Sequence, residues 1–120
     1  MAKKDIGYNN VSYGEMESVD LDLNKSNILD LKYVDQFFKT CDTNQEFQIT
    51  NLNVKTFKLV LTGGSLATNL FKCSGKEVEI IWEGGAITDY DNSTANRLYV
   101  CIEKIEPKII LTIVLNVQST

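Results

Sequence analysis

The groups in this chain that could do chemistry are carboxylates and three thiols; there is no histidine. Without an imidazole, neither a serine nor a cysteine has its customary base, and the usual nitrogen ligand of zinc is missing. Cys41, Cys73 and Cys101 are far apart and form no CxxC pair. They read as small buried hydrophobes of a reducing compartment rather than as a three-cysteine zinc site. A glycosidase needs two carboxylates facing each other across a cleft. Glu77, Glu79 and Glu83, like Asp20 and Asp22, instead alternate along single stretches and read as solvated sheet faces. Asp89-Tyr90-Asp91-Asn92-Ser93 spaces its oxygens as a calcium loop begins, yet lacks the glycine and closing glutamate of an EF-hand, and reads as a polar loop tip. Gly63-Gly64 and Gly84-Gly85 match neither phosphate-loop pattern. The expectation is a non-enzyme with no catalytic residue, no cofactor and no metal.

Binding chemistry is a separate matter. Trp82, just before Glu83-Gly84-Gly85, is either a strand-end core residue or an exposed stacking platform for a sugar or a protein. In the second case Tyr90 and Tyr99, with Asp89, Asp91 or Asn92, would complete a glycan site.

The elements that must position these groups are strands. In KEVEIIW, Val78, Ile80 and Trp82 share a face; in NRLYVCIE, Leu98, Val100 and Ile102 do, opposite Tyr99, Cys101 and Glu103. In KIILTIVLNV, Ile109, Leu111, Ile113, Leu115 and Val117 alternate with Ile110, Thr112, Val114 and Asn116. Period two with β-branched residues predicts three strands. The last is apolar on both faces, which predicts cover on both sides or a subunit contact. Upstream, VDLDL from Val19 to Leu23, Phe47 to Ile49 and Phe57 to Leu61 alternate likewise, and Gly63-Gly64 is expected to end the third of these in a tight turn. SLATNLFKC reads as a weak strand or loop. Residues 28–40 fit a strand (Leu29, Leu31, Tyr33) or a helix stripe (Ile28, Leu31, Val34, Phe37, Phe38, Cys41), with the strand preferred because its neighbours are strands. The prediction is an all-β antiparallel sandwich or jelly-roll-like fold of seven to eight strands over residues 19–120. An extended polar arm, residues 1–18, precedes it, with Tyr8 and Tyr13 as candidate docking residues.

A chain of 120 residues makes one domain. A net charge of -4 with a single arginine, Arg97, argues against a nucleic-acid partner. No window has the roughly 18 apolar residues of a membrane helix. Two lysines near the N-terminus without an apolar run behind them predict no secretory signal.

Val19 to Leu23, Phe47 to Leu52, Phe57 to Leu61, Ile80 to Gly85 (with W-x-G-G) and Leu98 to Ile102 follow one another in an order that resembles the small β-rich modules of tailed-phage virion proteins. Those occur in fibres, spikes and capsid decorations. Ala86-Ile87-Thr88 stands where proline and leucine often follow W-x-G-G in them. The resemblance implies a non-enzymatic structural role in the virion, after synthesis in the host cytoplasm. It implies self-association, with a trimer favoured, and contact with other virion proteins. The alternative from the residues is a carbohydrate- or receptor-binding module built on Trp82.

Overall fold

The computed structural model describes residues 18–20 and 27–117. Among them the chain is all-β, a mixed sheet without an α-helix. β1 is Ser18–Asp20, β2 Ile28–Asp30, β3 Gln36–Thr50, β4 Thr56–Lys72, β5 Glu77–Gly84, β6 Ala95–Ile105 and β7 Lys108–Val117. One 3-10 turn, Ile87–Asp89, lies between β5 and β6. Residues 28–40 follow the strand alternative: β2, a turn at Leu31–Tyr33, then the start of β3. The expected arm, with Tyr8 and Tyr13, lies outside the described residues except for Ser18.

The N-terminal half is wound. Ser18 lies beside Gln36, Ile28 beside Gln48, Gln36 beside Lys58 and Gln48 beside Lys72, all in parallel ladders with a step of 18 to 24 residues. Only residues 51–55 join β3 to β4, far short of the dozen or so a parallel crossover needs between straight strands. Straight, the 17 residues of β4 would span about 56 Å at about 3.3 Å each, beyond the 40 Å extent of the molecule. The strand therefore doubles back. Phe57 near its start and Phe71 near its end meet edge-on, ring centroids 5.6 Å apart. Phe71 also tilts against Phe47 of β3 at 6.1 Å.

The bend falls where the β3–β4 register slips, between Cys41 and Asn44. Gly63 and Gly64 sit at this corner with φ of +84° and +66°. A Cβ on Gly63 would lie 2.3 Å from the Cys41 carbonyl oxygen, and one on Gly64 2.3 Å from that of Thr43. The glycine pair thus turns a corner inside β4 instead of ending it, because its left-handed backbone lets two layers of the winding touch. SLATNLFKC continues the same strand as far as Lys72.

The C-terminal half closes the winding. The first limb of β4 pairs antiparallel with β6, β6 turns at Glu106-Pro107 into antiparallel β7, and β5 runs parallel on the far side of β7. The expected wholly antiparallel pairing holds for β4–β6–β7 only. In β1–β3, β2–β3 and β3–β4 the partner is the next turn of the winding, which runs in the same direction, while β5 and β7 are parallel because antiparallel β6 lies between them in the chain.

Inward-facing Leu98, Val100 and Ile102 of β6 and Ile109, Leu111, Ile113 and Leu115 of β7 join Phe37, Phe47, Ile49, Phe57, Leu59, Leu61, Leu70 and Phe71 in one core. At about 1.5–3 kcal/mol for each large apolar side chain buried, this cluster is the main stabilising element of the fold. Cys41 is buried there, but Cys101 faces outward on β6 and is exposed, contrary to the expectation of three buried thiols. Ile110, Thr112 and Val114 on the outer face of β7 are half-buried, while neighbouring Tyr99 and Ile81 are each 41% exposed.

Candidate functional site

The corner of β4 and the β5–β6 connection meet in a cleft of about 410 Å³. Gly64, Ser65 and Leu66 form one wall; Ile87, Tyr90, Asp91 and Asn92 form the other. Local chemistry holds the second wall. After β5, Gly85 takes φ +77°. Asp89 Oδ2 then accepts the Ala86 N–H at 2.8 Å, closing the 3-10 turn. Asp91 Oδ1 accepts the Ser93 N–H at 2.9 Å and the Ser93 hydroxyl at 2.6 Å, an Asx turn. Those bonds, the hydroxyl's first, hold the Asp91 carboxyl below its ordinary pKa.

Two side chains fasten this loop to the sheet. Tyr90 donates its hydroxyl to the Gly63 carbonyl, so the loop tip rests on the strand corner. Burial of the phenol pushes its pKa up to about 12, with the Cys41 thiol nearby adding to the shift. Asn96 is fully buried. Its Oδ1 accepts the Asp91 N–H at 2.9 Å, and its Nδ2 donates to the carbonyls of Asp91 (2.8 Å), Thr94 (3.0 Å) and Leu61 (3.2 Å). On the other wall Ser65 Oγ donates to Asn44 Oδ1 at 2.7 Å. Below it, buried Gln45 donates to the Thr43 carbonyl and hydroxyl, each at 3.0 Å, and accepts from Asn27 at 2.9 Å.

Of the residues singled out by sequence, the structure brings Tyr90, Asp91 and Asn92 together in the cleft. Asp89 is adjacent, its carboxylate tied to the turn. Trp82 is elsewhere, half-buried on the inner face of β5, where it packs against the core beside Val78 and Ile80. Tyr99 lies on the outer face of the sheet, paired across the ladders with Lys58 and Val114. One carboxylate oxygen each of Asp89 and Asp91 is taken up by its own turn, and no cluster of metal-ligating side chains occurs among the described residues. Glu77, Glu79 and Glu83 are exposed, and Glu79 forms an ion pair with Lys108, whose pKa is raised by that hydrogen bond and charge.

Sequence reasoning passed over Asn96 and Gln45. The signal for Asn96 was its phase: it shares the buried face of β6 with Leu98, Val100 and Ile102. A polar residue in that phase must find partners for its amide. Chemically the cleft offers a carboxylate, amides, hydroxyls and an aromatic edge, a set suited to binding a polar ligand. No protein-family model, curated protein or solved structure matches the chain.

Proposed function

We propose that this chain is a non-enzymatic structural component of a tailed-phage virion, of the tail, fibre or capsid-decoration kind, that self-associates and docks on a neighbouring virion subunit through residues 1–18. One observation carries the reading. The wound sheet uses its polar groups to tie its own turns, and its outer face turns an apolar patch, set among charged side chains, towards solvent. Tyr99 and Ile81 are exposed there beside half-buried Val114 and Ile110. Such a surface suits assembly better than turnover. A sandwich-like or jelly-roll-like layering belongs to the same proposal, supported by the contact of the two limbs of β4 through Phe57 and Phe71. The partners are other virion proteins and further copies of the chain, without nucleic acid or membrane. The place of action is the virion, after synthesis in the host cytoplasm. Immunogold labelling of particles of the phage that carries this sequence tests it. Regular labelling at one position on intact particles is expected; unlabelled particles in a lysate rich in the free protein would overturn it.

The second reading, a glycan- or receptor-binding module, is favoured by the cleft at Tyr90, Asp91 and Asn92. A glycan-array signal lost in Asp91→Ala would point to that cleft, whereas loss only in Trp82→Ala would point to the tryptophan. Silence of the unaltered protein across the array would remove this reading.

A further inference from the structure

We propose that the outer face of the β4–β6–β7–β5 sheet is where two copies of this chain pair, about a two-fold axis parallel to the strands. The inference rests on the self-associating reading above and names the surface and its geometry.

The ladders define the face. Lys58 stands opposite Tyr99 and Tyr99 opposite Val114; Cys101 stands opposite Thr112 and Thr112 opposite Ile81. Residues opposite one another in a ladder point to the same side of a sheet, so these form two rows across its outer surface. The centre is apolar, with Tyr99 and Ile81 each 41% exposed and Val114 between them half-buried. Exposed apolar side chains that adjoin one another across two rows, rimmed by charged groups, suit a contact with another molecule.

Charge selects the occupant. Lys58 on β4 lies on one flank and exposed Glu83 on β5 at the other, while Glu79 is paired with Lys108 and the central strand β6 carries one charge of each sign, Arg97 and Glu103. Neither Lys58 nor Glu83 has an ion-pair partner among the described residues. A two-fold axis along the strands lays β5 of one copy over β4 of the other and β6 over β7. Glu83 of each copy then meets Lys58 of the other, and each Tyr99 meets Val114. An axis across the strands would set β5 over β5 and bring the glutamates together. The face is therefore complementary to itself in one orientation, and a surface that meets itself makes an isologous pair. That geometry is a dimer contact, in place of the expected trimer.

The test uses the full chain, with mass measured by light scattering over a concentration range. The unaltered protein should dimerise. Lys58→Glu and Glu83→Lys should each weaken the dimer about 10-fold or more, because each reversal turns two attractions into repulsions. The double variant should recover to within about 3-fold of the unaltered protein. Circular dichroism reports whether each variant folds. Should a reversal fail to fold, the unaltered chain carries the test through Cys101, exposed near the axis. Packed sheets lie about 10 Å apart, too far for a disulfide but within reach of a short bismaleimide. Mass spectrometry should then find Cys101 joined to Cys101. A monomer at every concentration would overturn the proposal and assign the face to another occupant, residues 1–17 or a different protein. A dimer or trimer indifferent to both reversals and without that cross-link would also overturn it, while leaving self-association in place.

Discussion

Replacing Asn96 by aspartate changes one NH₂ group into an oxygen and almost nothing in shape. In the native chain that NH₂ faces the carbonyls of Asp91, Thr94 and Leu61 at 2.8 to 3.2 Å, with no solvent reaching the residue. Aspartate keeps the acceptor for the Asp91 N–H but sets an oxygen against three others. With two N–H donors lost at about 1–1.5 kcal/mol each, and a further 1 kcal/mol or so for the forced contact of oxygens, the loss comes to about 3–4 kcal/mol at pH 7. Asn96→Leu should cost less, about 2–3 kcal/mol, since the Asp91 and Thr94 carbonyls belong to a surface loop and can turn to water. The assay is guanidinium unfolding at constant slope, repeated at pH 7 and pH 3.5. The aspartate carboxyl, repelled by its neighbours, has a folded-state pKa above its unfolded one. Its protonated form is favoured in the fold, so the deficit of Asn96→Asp should shrink as pH falls. A loss below about 1 kcal/mol at pH 7, or a deficit that grows on acidification, would refute the role given to Asn96.

Gly63→Ala should destabilise the domain by more than about 3 kcal/mol, combining positive-φ strain with a Cβ driven against the Cys41 carbonyl, as read from the unfolding midpoint. Phe71→Ala, which removes the ring between Phe47 and Phe57, should cost about 3–5 kcal/mol in the same assay. The raised Tyr90 pKa means that the unfolded chain ionises first on the alkaline side. Stability should be intact below pH 10 and fall between pH 10 and about pH 12, and Tyr90→Phe should flatten that fall. Glu79→Gln, which breaks the exposed pair with Lys108, should change stability by less than about 1 kcal/mol in thermal unfolding.

The three C-terminal strands were legible because alternation and β-branching coincide there. Leu98, Val100 and Ile102 are buried as their phase requires, and Tyr99, Cys101 and Glu103 are outside. Winding was not legible. A parallel partner 18 to 24 residues away leaves no local mark, whereas a Gly-Gly pair looks the same at a hairpin as at a corner inside a strand. The cleft was half legible. Asp89 to Ser93 announced a polar loop, but only tertiary structure shows that Tyr90 rests on Gly63 and that Asn96 holds the loop from below. Trp82 drew attention by its residue type. Its position on the inner face of β5 follows from its phase with Val78 and Ile80, the core alternative that sequence also offered.

A self-associating structural protein must exceed the mass of one chain in solution, and light scattering reads that mass absolutely. The expected value is a multiple of the 13.5 kDa chain mass, twice that mass for the face described, with the fraction of dimer rising with concentration. A mass of 13.5 kDa at every concentration would contradict it.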